Sequence, residues 1–249
     1  MQHFKLFIMS VGIVALLSAT LFADGLKVGY VEFPPYTYTA NTGKPAGLFI
    51  ALSREVYGRL NMSVESETSY PAARLVKYLI TGEVDVWYGI KLPALETSAV
   101  YGNEPIGSIE LNIYAINKVP EIDKKEDLNG KKIILILGYG YSDWGAWIKD
   151  PKNKIEYFQT KSHEVALNFL ELGRADYLLD YTYTVNNALK KHKVTGLVKK
   201  KLQTLNCYFS VSKKTKKHNI LIRRFDKALK SCKENSKSQK YKSADKTTF

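Results

Sequence analysis

The chain has 249 residues, 45% of them hydrophobic and 24% charged, with 37 Lys and Arg against 24 Asp and Glu for a formal charge of +13. That length suits one large domain or two lobes of about 100 residues each, large enough for real hydrophobic cores. The basicity belongs to the last quarter, because residues 190–249 hold 19 basic and three acidic residues while residues 1–189 hold 18 and 21. Such a run reads first as a solvated surface, and second as a patch attractive to anionic lipid or polymer. No nucleic-acid recognition motif accompanies it, so nucleic acid is not expected as a partner. The histidines at 3, 163, 192 and 218 are too scattered for a metal site, and no cofactor is expected. Cys207 and Cys232 form no metal or redox motif; they either pair in an oxidising compartment or stay as buried free thiols.

The first element is a secretory signal. Lys5 is followed by an uncharged, mostly apolar run over 6–23, and Asp24-Gly25 then opens a polar chain. Cleavage is expected after Ala23, although Leu21 is bulky for its place; an uncleaved membrane anchor is the alternative. Either way the rest folds outside the cytoplasm, in the periplasm. Residues 26–31 alternate as a strand and are broken by Phe33-Pro34-Pro35-Tyr36. Leu48, Leu52, Val56 and Leu60 recur at helical spacing over 47–60. A strand follows over 63–67, then a helix with Ala72, Leu75, Val76, Leu79 and Ile80 on one face, stopped by Gly82. Residues 84–88 make a short buried strand. Strands alternating with helices predict an α/β architecture with a mostly parallel sheet.

A second unit of the same kind begins after 111–116. It has a strand over 133–137, a glycine turn, a helix from about Asp143, and a helix capped by Ser162 that carries Val165, Phe169 and Leu172. A strand over 175–179 and a helix over 181–191 complete it. A strand over 207–212 and a helix with Leu221, Phe225, Ala228, Leu229 and Cys232 on one face then return to the first unit. Sheets of this kind bind ligands outside the carboxyl ends of their strands, and two face to face make a cleft.

The segments LKVGYVEFPPYTYTANTGKPAGLFIAL, YLITGEVDVWYGI, EDLNGKKIILILGYGY and ALNFLELGRADYLLD, in this order and spacing, resemble the bacterial extracytoplasmic solute-binding proteins of the polar amino-acid type. The resemblance runs from about Leu26 to Lys242. It implies an α/β, two-lobed, type II periplasmic-binding-protein-like fold, each lobe a mostly parallel sheet flanked by helices. Residues 24–113 plus 207–249 would form lobe one and 114–206 lobe two, with hinges near 111–116 and 205–209. It also implies a monomer that closes on a small-molecule ligand and serves the membrane subunits of an ABC transporter.

Two places depart from the family pattern. Where amino-acid binders carry a Thr and then an Arg for the ligand carboxylate, this chain reads Lys91-Leu92-Pro93-Ala94-Leu95-Glu96, with Glu96 at the arginine's place. Phe49 and Ala51 stand where acids are common. Arg74 or Lys91 would then supply positive charge to a carboxylate, though an exposed arginine is the ordinary reading.

Asp180 matches the carboxylate that holds the ligand ammonium, and equally the cap of the helix that follows it. Tyr36 matches the family's stacking position. Tyr88 and Tyr139 belong to a group of aromatics at predicted loop tips and strand ends, together with Tyr38, Tyr70, Trp87, Tyr141 and Trp144. With Asp180 and Glu96 such a group suits a cationic or aromatic amine. Gly138-Tyr139-Gly140-Tyr141-Ser142 lacks the third glycine of a dinucleotide loop, because Asp143 stands there. It is read instead as a turn presenting backbone N–H groups and Ser142 to a ligand oxygen.

The expected function is non-enzymatic capture of a small polar solute, an amino acid or an amine. The alternatives are an orphan ligand sensor and a cyclohexadienyl or arogenate dehydratase-like enzyme, for which Glu96 or Glu32 would be the proton donor.

Overall fold

Six helices flank an eight-stranded sheet in a computed structural model that describes residues 25–235. The expected signal over 1–23 lies outside the described residues. The strands are β1 (Leu26–Tyr30), β4 (Val64–Ser69), β5 (Val86–Gly89), β6 (Ala99–Ile116), β7 (Lys132–Ile136), β8 (Glu156–Thr160), β9 (Tyr177–Tyr181) and β10 (Leu197–Ser212). A separate two-residue ribbon pairs β2 (Tyr38–Thr39) with β3 (Pro45–Ala46). The helices are α1 (Leu48–Arg59), α2 (Ala72–Thr81), α3 (Ser142–Lys149), α4 (His163–Glu171), α5 (Thr182–Leu189) and α6 (His218–Asn235).

The sheet order β4-β1-β5-β10-β6-β9-β7-β8 divides naturally. On one side β1 lies parallel to β4 and β5; on the other β7 lies parallel to β8 and β9. Between them β6 and β10 run antiparallel along their whole lengths, β10 also pairing with β5 and β6 with β9. Two parallel half-sheets are therefore joined by one long antiparallel pair, and this is the two-lobed architecture.

Both long strands exceed their sequence-based bounds. The first half of β6 contains Gly102, Pro105 and Gly107, which read as loop punctuation in sequence. The structure absorbs them with pairing shifts between Cys207 and Tyr208 and between Tyr208 and Ser210, so that Pro105 sits where the ladder is interrupted. Gly107 is needed because a Cβ there would come 2.6 Å from the Phe49 ring. The edge strand β8 has no counterpart in the sequence reading, as EYFQT lacks a clean alternation and is half exposed.

The helices follow the expected spacing with two corrections. In α4 the buried residues are Ala166, Leu167 and Leu170, whereas Val165 and Leu172 are 45% and 56% exposed. In α2, Leu75 and Leu79 are buried while Ile80 is 39% exposed. In α4 the expected stripe is one position off, which rotates a helix by about 100°; in α2 it is centred as expected and only its rim is exposed. Helix α6 packs on α1 and β6. Its Asp226 accepts the backbone N–H of Asn103 at 3.0 Å and of Glu104 at 3.1 Å, which ties this helix to the first lobe.

Candidate functional site

The carboxyl ends of strands from both lobes converge on a cavity of about 460 Å³, within the ~300–1,000 Å³ range of small-molecule sites. The segments leaving β1, β4 and β5 bring Glu32, Phe33, Tyr70 and Ile90 to it. Those around β7 and β9 bring Tyr139, Tyr141 and Tyr181, and the long pair contributes Ile109 and Cys207 between the lobes. Loops diverging from carboxyl strand ends leave such a crevice.

The wall is aromatic. Phe33 spans the gap: its ring lies 5.3 Å from Tyr36 in the first lobe, and 5.2 Å from Tyr139 and 5.1 Å from Tyr181 in the second, both edge-on. Tyr88 closes another side and donates to the Glu67 carboxylate at 3.1 Å, which in turn pairs with Arg54 at 2.6 Å. Burial pushes the Tyr88 phenol well above its ordinary value, with Tyr57 and Glu67 adding to the shift, so it stays neutral.

Glu32 supplies the charge. It accepts the Thr39 N–H at 3.0 Å and the Thr39 hydroxyl at 2.7 Å. Burial alone would raise its carboxyl, but hydrogen bonds from Ser69 and Thr39 hold it below the usual carboxylate range. Among the described residues lining the cavity, Glu32 alone carries a formal charge at neutral pH.

Of the residues singled out in sequence, Glu32, Tyr70, Trp87, Tyr88, Tyr139 and Tyr141 line the cavity. Tyr36 is buried behind it, its ring 4.9 Å from Phe49 and 5.5 Å from Tyr183, and Phe33 holds the cleft side. Arg74 is exposed and outside the lining. Lys91 lies 4.6 Å over the Tyr208 ring, outside the lining, and Glu96 is exposed. Ser142 opens α3 with a left-handed φ of 54°. The neighbouring Asp143 carboxylate is held below its usual range by Lys125 first, and also by its own backbone N–H and Ser142. That helix end is therefore served by the chain's own acid.

Asp180 is fully buried in the second lobe. It accepts the Tyr181 N–H at 2.8 Å and the Thr184 hydroxyl at 2.9 Å, and lies 2.6 Å from His163 Nδ1. His163 had no assigned role in sequence, as it is 17 residues away and meets Asp180 only through the packing of α4 on β9. Its other nitrogen lies 3.4 Å from the Tyr139 hydroxyl, so the cluster reaches the cavity wall indirectly. Phe49 packs against Tyr36 and also lines the cavity.

Both cysteines are free and buried. Burial pushes the Cys207 thiol up to about 12, and burial foremost raises that of Cys232. The folded chain should therefore react only slowly with a disulfide reagent at about pH 8, both thiols appearing at once on unfolding. Rapid reaction of either thiol in the native state contradicts this packing.

The family model of the bacterial extracellular solute-binding proteins, family 3, matches residues 26–244. Among solved structures, a histidine kinase sensor domain with similarity to periplasmic binding proteins aligns with TM-score 0.68 at 21% identity, covering 86% of this chain and 92% of that one. A putative L-cystine ABC transporter protein from Listeria monocytogenes aligns with TM-score 0.65 at 21% identity, over 86% and 92%. An ancestral amino acid-binding protein, a precursor of cyclohexadienyl dehydratase, aligns with TM-score 0.64 at 18% identity, over 85% and 90%. No curated protein matches the sequence.

Proposed function

Because the chain belongs to the family 3 bacterial extracellular solute-binding proteins, we propose that it is a periplasmic receptor that captures one small solute, an amino acid or an amine, in the cavity between its lobes and presents it to an ABC transporter. The observation that carries this reading is the position of the cavity, at the carboxyl strand ends of both half-sheets at once and bridged by Phe33. A ligand held there touches both lobes and so favours their closed arrangement by its differential affinity. The moving bodies are taken as 24–113 with 207–249, and 114–206, flexing near 111–116 and 205–209. Pairing shifts beside Cys207 and Tyr208 support the second flexing point. The apolar run over 6–23 is the export signal in this scheme.

Glu32 argues against the dehydratase alternative. A proton-donating carboxylic acid needs a raised pKa, and this carboxyl is held below the usual range. Glu96, the other candidate donor, stands outside the lining.

A cognate solute at a hundredfold excess over its Kd should stabilise the chain by about 2.7 kcal/mol. For a domain of this size that raises Tm by about 5–10 °C. Thermal unfolding against a panel of amino acids, amines and small acids checks it, with Trp87 fluorescence reporting occupancy and solution scattering reporting contraction. A panel in which no solute moves Tm, fluorescence or radius, while prephenate or arogenate is turned over, replaces the receptor reading with the enzymatic one.

A further inference from the structure

We infer that the solute is a protonated amine with an apolar body and no carboxylate, its ammonium held at Glu32 and its body among the surrounding rings. This rests on the receptor reading above and narrows the ligand class of the same cavity.

Charge decides the matter first. A carboxylate buried in a largely apolar site needs a cation or several converging donors, because leaving water unpaired costs several kcal/mol. The cavity lining holds no lysine, arginine or histidine among the described residues. The nearby cations are used elsewhere: Arg54 pairs with Glu67, Lys91 lies over Tyr208, and Lys125 pairs with Asp143. The α3 N-terminus, the natural backbone alternative for an anion, already carries the Asp143 carboxylate. Among the described lining residues an incoming carboxylate would meet the Glu32 charge and no positive one.

The same wall suits a cation. Glu32 is ionised, and Thr39 and Ser69 hold it in place. A carboxylate has about four lone-pair sites, so this one keeps acceptor capacity for an ammonium. Phe33, Trp87, Tyr70 and Tyr139 offer ring faces and edges around the remaining space, and ring faces attract cations as well as apolar groups. Phe49 strengthens the pattern, an aromatic wall residue where an acid is common in relatives of this type.

Matched pairs that differ only by the carboxylate test this. The chain from Asp24 to Phe249 retains every strand, helix and core residue described, and is titrated calorimetrically with phenethylamine and tyramine against phenylalanine and tyrosine, and with 2-phenylethanol as the neutral isostere. The amines should bind at least about 10-fold tighter than both the amino acids and the alcohol, since a charged hydrogen bond is worth about 10- to 100-fold. Glu32→Gln, whose amide oxygen keeps the Thr39 N–H contact while its NH2 faces the Thr39 hydroxyl as a donor, should weaken the amines by a similar factor while leaving Tm within a few degrees. Amino acids binding as tightly as the amines would overturn the inference yet leave the receptor standing. Equal binding of 2-phenylethanol, or unchanged amine affinity in Glu32→Gln, would also overturn it. If none of these probes binds and no other solute perturbs Trp87 fluorescence, the receptor reading falls with it.

Discussion

Phe209→Ala should destabilise the protein by about 3–5 kcal/mol, the largest single-residue effect expected in the first lobe. The ring is fully buried on β10, 4.9 Å from Phe225, 5.9 Å from Tyr88 and 6.2 Å from Tyr57. It joins the sheet to α1 and α6 at the point where β10 pairs with β5, opposite Tyr88. Truncation leaves a cavity beneath the strand, and the three neighbouring rings cannot all collapse into it. Denaturant unfolding measures the loss, with Phe209→Leu as a milder comparison. Because Tyr88 rests on this ring and forms part of the ligand cavity, solute affinity should fall in the same variant. A loss under about 1 kcal/mol would mean that the ring is not packed as described.

Asp180→Ala should cost a comparable amount, about 3–5 kcal/mol, because the buried carboxylate serves three donors at once. Its removal strands the buried Tyr181 N–H and takes the partner from the His163 ring, while the Thr184 hydroxyl is left with the Tyr181 carbonyl alone. A direct ligand contact would give the opposite pattern, weaker solute binding at unchanged stability, so unfolding and titration together separate the roles. The pair also sets a pH dependence. Burial lowers the His163 pKa, but the Asp180 hydrogen bond and charge, with Glu164 adding to them, more than offset it and raise it above 6.5. Tyr139, the other titratable group facing the ring, is kept neutral foremost by burial, which raises its phenol. A folded-state pKa above the unfolded one contributes stability in full below the unfolded value, and that stability is lost as pH rises through the folded value. The second lobe should therefore be more stable at about pH 5.5 than at about pH 8.5 by an amount that His163→Gln abolishes. An imidazole titrating below the ordinary histidine value, followed by NMR, would show that burial wins over Asp180.

The alternation of strands and helices was legible in the sequence wherever one face of an element is buried. The helix over Ala72–Thr81 and the strands Leu26–Tyr30 and Lys132–Ile136 appear close to their expected bounds because periodicity and burial coincide in them. Legibility failed where tertiary pairing overrides local composition. The first half of Ala99–Ile116 reads as loop because glycine and proline break its pattern, and only the partner strand Leu197–Ser212 holds it extended. Glu156–Thr160 is an edge strand whose residues carry little signal until a neighbour supplies the ladder.

The site divides the same way. The order and spacing of its segments carried the resemblance to a solute-binding family, and with it the expectation of an α/β, two-lobed fold, while the residues themselves placed aromatics at the strand ends. Which carboxylate lines the cavity was decided only in three dimensions. Asp180 turns into its own lobe because Thr184, Tyr181 and His163 together satisfy it there, whereas Glu32 is held at the cavity wall by the ribbon residue Thr39 and by Ser69. Sequence places a residue on an element, but the hydrogen-bond partners that aim its side chain come from segments far along the chain.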